Sequence, residues 1–257
     1  MGKIIALFNQ KGGVGKTTTC LNICACAALI GKKVLAVDFD PQSNLTSGLN
    51  IQRKSLKKTV YDVLIDRISV KDAILPTSVE NLYILPASID LAGAEIEMSN
   101  TYQRETILGR ALGEVKDEYD IIMIDCPPSL GLLPINALTA ASGVVIPIQC
   151  EFYALEGVSQ LMNTVNLVKR SLNPDLTVYG VLLTMYDKRT NLSQQVVDEV
   201  KNYFASKVFP TIIPRNVRLA EAPSYGMSIM EYDSNSRGAK AYTAVTRQLL
   251  ERINLEG

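Results

Sequence analysis

The chain has 257 residues, 47% hydrophobic and 20% charged, which suits one sizeable buried core and excludes a disordered segment or a small disulfide-stapled scaffold. Its 26 lysines and arginines balance 26 aspartates and glutamates. There is thus no global positive field to draw it onto nucleic acid or an anionic membrane, and any such contact needs a local patch. Histidine is absent, which removes imidazole metal ligands, histidine general bases and histidine triads.

The apolar run from Lys3 to Phe8 predicts a buried strand, interrupted by Asn9-Gln10-Lys11 too soon for the apolar region of a signal peptide. A glycine-rich turn leads into a helix over Lys16 to Ile30, then a second strand over Lys33 to Phe39 closing on Asp38-Phe39-Asp40. The stretch from Pro41 to Asn81 is less regular. Short helices are expected there at Tyr61-Leu64 and Val70-Leu75, among the cations Arg53, Lys54, Lys57 and Lys58. Further strands are predicted at Leu82-Leu85, Ile121-Asp125, Val144-Ile148, Val178-Thr184 and Val208-Ile213. Helices are predicted at Arg104-Val115, Leu130-Ala140, Leu155-Ser171, Leu192-Phe204 and Ala239-Ile253. This alternation implies an α/β fold with a mostly parallel twisted sheet and helices on both faces. Without a linker or repeat to divide it, a single domain over 1–257 is expected. No apolar run reaches spanning length, so a cytoplasmic protein is the expectation. Cysteines 20, 24, 26, 126 and 150 lack C-x-x-C spacing and read as small buried thiols rather than a zinc site.

The most informative segment is Asn9-Gln10-Lys11-Gly12-Gly13-Val14-Gly15-Lys16-Thr17-Thr18, between the first strand and the first helix. Glycines let backbone amides approach phosphate oxygens, and a helix N-terminus adds positive potential. Lys16 can bridge terminal phosphates, and the Thr17 hydroxyl can ligate magnesium. That chemistry is nucleoside triphosphate binding. The common G-x-x-x-x-G-K-T pattern fails at its first glycine, which is Gln10; Lys11-Gly12-Gly13 stands in its place. Asp38 and Asp40, at i and i+2 after the second strand, share a face at the strand end where parallel α/β proteins place ligands. Asp125 ends another apolar strand in the same manner.

The K-G-G-x-G-K-T loop resembles the deviant Walker A motif of the ParA/MinD ATPases. Three further blocks occur in the same order: Asp38-Phe39-Asp40-Pro41-Gln42, Ile124-Asp125-Cys126-Pro127-Pro128-Ser129-Leu130 and Ile213-Pro214-Arg215-Asn216-Val217-Arg218-Leu219. Together they resemble the chromosomal ParA (Soj) partition branch over nearly the whole chain. The resemblance implies a P-loop NTPase of the deviant Walker A type, working with ATP/ADP and Mg2+. Lys11 is then the signature lysine reaching across an ATP-dependent homodimer, while Lys16 serves the nucleotide of its own subunit, with 12–18 as the phosphate cradle. Asp40 becomes the switch I aspartate that positions or activates the attacking water. Thr17, Asp38, Asp40 and Asp125 form the metal set, Asp125 acting through water, and Cys126-Pro127-Pro128 belongs to switch II.

Adenine is expected near Met185, Pro214, Arg215 and Asn216, although Asn216 reads equally as a turn former. Arg189 and Arg218 are expected to contact nonspecific double-stranded DNA, with a ParB-like protein stimulating hydrolysis and a replication initiator as a further partner class. A membrane-patterning role would need an amphipathic C-terminal anchor. The stripe Tyr242, Val245, Leu249 and Ile253 is instead expected to pack on the sheet, so no stable membrane anchor is expected. Two functions follow: an ATP-dependent partition switch acting on DNA, or a regulatory or cargo-positioning adaptor ATPase acting mainly through protein binding.

Overall fold

Strands in which every residue is apolar and buried belong in the middle of a parallel sheet covered on both sides. In the computed structural model, which describes residues 2–151 and 157–255, β1 (Lys3–Leu7) is flanked by two parallel neighbours. The other strands are β2 (Val34–Asp38), β3 (Leu75–Pro76), β4 (Leu82–Leu85), β5 (Ile121–Asp125), β6 (Gly143–Gln149) and β7 (Thr177–Thr184). They join in the order β3-β4-β2-β5-β1-β6-β7. All pairings are parallel except β3 on β4, a two-residue edge strand. The registers bring Leu7 and Asp38 opposite Asp125 from either side, so the strand-end acids of β2 and β5 lie next to each other.

The helices are α1 (Lys16–Leu29), α2 (Asn44–Gly48), α3 (Val60–Ile65), α4 (Leu91–Glu97), α5 (Ile107–Gly113), α6 (Leu132–Ala140), α7 (Val158–Ser171), α8 (Asn191–Phe204), α9 (Val217–Glu221), α10 (Ile229–Asp233) and α11 (Arg237–Leu255). Side-chain alternation along the strands divides the core in two. Ile4, Ala6, Val37, Ile122 and Ile124 pack with residues of α3 to α8 on one face. Ile5, Leu7, Ala36 and Met123 pack with α1 and α11 on the other. The expected two-sided cover is therefore present. Tyr242, Val245, Leu249 and Ile253 of α11 are all buried in that second core, and the Tyr242 hydroxyl meets Thr19 Oγ1 of α1 at 3.1 Å. Among the described residues no helix is long and apolar enough to cross a membrane. All five cysteines are buried and unpaired.

Several expected elements differ. The run Val208 to Ile213 is not a strand: it meets β7 through one isolated bridge, Val181 to Val208, and a separate bond from the Ile213 N–H to the Leu183 carbonyl. Pro210 has no N–H to donate to a ladder, and Phe209 is used instead as a fully buried core plug. Val70 to Leu75 forms one 3-10 turn over Val70–Asp72, after which Leu75 enters β3. The helix expected from Arg104 starts at Ile107 after a 3-10 turn. The expected start of the next long helix, at Leu155, lies outside the described residues.

Candidate nucleotide site

The phosphate loop occupies the turn from β1 into α1. Gly13 and Gly15 have φ of 73° and 89°, a left-handed conformation that strains a residue with a Cβ. Asn9 ties the loop to the sheet by donating from Nδ2 to the Pro147 carbonyl at 2.7 Å, and its Oδ1 accepts the Lys11 N–H at 3.0 Å. Thr184, at the end of β7, donates to the Val14 carbonyl at 2.8 Å. Lys16 is 6% exposed. Its ammonium donates to the Asn9 and Lys11 carbonyls at 2.9 and 3.0 Å and so braces the arch from inside. Burial pulls this group below the ordinary lysine value, offset in part by Asp125 and Asp40. Lys11, by contrast, is exposed, with its side chain available to something outside its own chain.

Three carboxylates converge from β2, the turn after it and β5. Asp38 is fully buried, and both of its oxygens are taken by protein donors. Oδ2 accepts the Thr46 N–H at 2.8 Å and the Thr46 hydroxyl at 2.6 Å, and Oδ1 accepts the Asp40 N–H at 3.3 Å. In this arrangement Asp38 fastens the turn and α2 rather than presenting a free ligand. Asp40 is 8% exposed, and its Oδ1 accepts the Gln42 N–H at 2.9 Å.

Asp125 is buried, and its Oδ1 has no hydrogen-bond partner. Burial is the main cause that pushes its carboxyl well above the ordinary value, reinforced by Asp38 and opposed by the Thr17 hydroxyl beside it and by Lys16. An orphaned carboxylate oxygen next to a threonine hydroxyl and an ammonium fits a magnesium ion that takes its remaining ligands from phosphate and water. Among the described residues no group of three or more metal-binding side chains forms a cage by itself.

Burial also raises Asp38, from 3.8 to about 6, against the hydrogen bonds from Thr46. Because the folded protein retains that proton longer than the unfolded chain, Asp38 contributes stability below about pH 4 that is lost as pH rises through about 6. The swing is on the order of 3 kcal/mol. Thermal melts from pH 4 to 7 check this: wild type is expected to lose Tm relative to Asp38→Asn across that window, and parallel curves would exclude it.

A cavity of about 330 Å³ lies on the other side of the loop. Gly15, Thr18, Met185, Pro214, Arg215 and Asn216 are among its lining residues, so all four expected adenine contacts come together within the size range of small-molecule sites. Backbone bonds from Tyr186 N–H to Ile213 and from Arg215 N–H to Tyr186 join the two loops that carry them. Asn216 caps α9, its Oδ1 accepting the Arg218 N–H at 3.0 Å. The turn-forming reading thus holds for its oxygen.

Arg189 lies on the first of these loops and Arg218 in α9, just after the second, and both are exposed. Each is already paired. Arg189 meets Asp187 at 2.6 Å and holds that carboxyl below the usual range. Arg218 meets Glu221 at 3.0 Å. Thr46 is a site residue whose role the sequence does not signal, since it stands in no motif; Asn9 lies in the motif segment, but its bond to the Pro147 carbonyl is not legible there.

Residues 2–178 match the AAA domain family. The chain is 61% identical over 249 residues to the sporulation initiation inhibitor protein Soj of Bacillus subtilis, covering 97% of this chain and 98% of that protein. It is 51% identical over 252 residues to the chromosome partitioning protein ParA of Myxococcus xanthus, covering 98% and 89%. The solved structure of cobyrinic acid a,c-diamide synthase from Mycobacterium smegmatis with bound ATP analog and magnesium is similar at TM-score 0.88 and 38% identity, covering 100% of this chain and 98% of that one.

Proposed function

Because the chain belongs to the ParA/MinD family of deviant Walker A ATPases, we propose that it is an ATP-driven switch whose output is exerted through bound protein partners, in regulation or in the positioning of cargo. The observation that carries this reading is the meeting of Lys16, Asp40 and Asp125 at neighbouring strand ends while Lys11 stays exposed. Amides of 12–18 and the Lys16 ammonium hold the terminal phosphates. Asp40 orients water for in-line attack on the γ-phosphorus, and Lys11 of a second copy neutralises charge in the transferred group. Thr17 and Asp125 would hold magnesium, which supplies further charge neutralisation between phosphate oxygens. ADP and phosphate are the products. Dependence on a second copy ties assembly to nucleotide state, and slow basal turnover suits a switch whose triphosphate form must persist.

The finer reading is chromosome or plasmid partition, with nonspecific DNA bound by the ATP dimer and a ParB-like protein stimulating release. The names borne by the Myxococcus and other relatives support it, as does the exposure of Arg189, in the loop before α8, and of Arg218, in α9. Each arginine that holds a DNA phosphate shares or gives up its present carboxylate partner, which weakens the contact, while the salt dependence of binding follows the number of phosphates neutralised.

DNA retention with ATP, ADP or no nucleotide separates the two outputs. Retention with ATP alone, lowered at least about tenfold in Arg189→Glu and Arg218→Glu, supports partition. Equal weak retention in all states removes DNA as the cargo and leaves the protein-directed output.

A further inference from the structure

The loop 126–131 follows Asp125 at the end of β5, passes beside the phosphate loop and leads into α6, where it is tied down. Near its start, Pro128 lies beside the phosphate loop, 3.9 Å from where a Cβ on Gly12 would stand. Just past its end, in the first turn of α6, Glu95 of α4 accepts the Leu133 N–H through Oε1 at 2.9 Å. The same carboxylate lies so close to Gly131 that a Cβ there would overlap it.

This contact answers a need of α6. The first N–H groups of a helix have no partner within it, its N-cap Gly131 has no side chain to offer, and its first turn holds no acid. A carboxylate from a neighbouring helix therefore does the work of an N-cap and meets the positive end of the helix dipole. The body of α6 is fixed from behind by the fully buried Asn136, which accepts the Leu108 N–H and donates to the Arg104 carbonyl.

The segment that carries Glu95 is anchored at its other end on the β2 side of the site. The Thr46 hydroxyl that donates to Asp38 also accepts the Ala87 N–H, at 3.1 Å. Residues 87–97 thus run from the Asp38 network to the end of the loop that follows Asp125. Their outer side carries exposed Ile89 and Ile96, so the strut lies at the surface.

We propose that Glu95 is a positioning residue for ATP hydrolysis: it fastens loop 126–131 to the strut 87–97, which Asp38 anchors through Thr46, so that the turn carrying Asp40 and the loop after Asp125 keep one relative placement. This concerns hydrolysis itself and is independent of whether the output is DNA or protein binding.

Steady-state turnover and ATP affinity of Glu95→Ala, Glu95→Gln, Gly131→Ala and the double variant Glu95→Ala with Gly131→Ala test it. Glu95→Ala removes the acceptor and is expected to lower kcat about five- to tenfold with KM for ATP within about twofold, since the phosphate cradle is untouched. Glu95→Gln keeps an oxygen in place and is expected to keep kcat within about twofold of wild type. Gly131→Ala displaces the carboxylate and lowers kcat by a similar factor. On the Glu95→Ala background its added effect should fall below about twofold, because the group it displaces is gone. Wild-type kcat in Glu95→Ala, equal losses in the Gln and Ala variants, or fully additive losses in the double variant would each overturn the proposal.

Discussion

Lys16→Ala is expected to abolish measurable ATP turnover and to weaken ATP binding by at least about 100-fold, since charge-assisted hydrogen bonds and phosphate clamps each contribute on that scale. Two losses combine. The ammonium that would meet the phosphates is removed, and so is the brace between the Asn9 and Lys11 carbonyls that keeps the loop arched. The positive charge facing Asp125 and Asp40 goes with it, leaving a cluster of carboxylates to repel an incoming polyphosphate. Calorimetric titration with magnesium and ATP, alongside phosphate release, measures both effects. Wild-type affinity in this variant would restrict Lys16 to bracing the loop.

Asp40→Ala should lower kcat by at least about 100-fold while ATP affinity changes by less than about fivefold, the range expected when a group acting on the attacking water is lost. Its Oδ1 also holds the Gln42 N–H, so alanine alone confounds chemistry with loop order. Asp40→Asn resolves this, because it retains an acceptor for Gln42 yet cannot take a proton. Comparable losses in both variants place Asp40 at the reaction. Turnover near wild type in Asp40→Asn would make it a loop brace.

How far the sequence reveals this molecule depends on whether a residue's role is local. Ile121–Asp125 and Leu82–Leu85 are strands with the bounds that their apolar runs predict, because full burial between two helix layers demands an uninterrupted apolar segment. The phosphate loop is legible because its conformation and chemistry are both written in consecutive residues. The short helices α2, α4, α9 and α10 are not, since their few residues carry little periodicity. They are fixed by contacts from elsewhere, such as the bond from the Ile229 N–H at the start of α10 to Asn22 in α1. Val208 to Ile213 misleads for the opposite reason: its apolar residues serve the core individually around Pro210. Asp38 shows the same limit at the site. Its spacing from Asp40 suggests a free ligand, whereas its pairing with Thr46, eight residues on, is visible only once α2 is in place.

In the proposed switch, nucleotide state controls assembly through a site that needs Lys11 from a second copy. Sedimentation velocity of Asp40→Ala with magnesium and either ATP or ADP tests it most directly, because blocked hydrolysis holds each state in place. The expected result is a dimer with ATP and a monomer with ADP, the ATP dimer disappearing when Lys11→Ala is added. The same molecular mass with both nucleotides, or an ATP dimer that survives Lys11→Ala, would exclude this coupling.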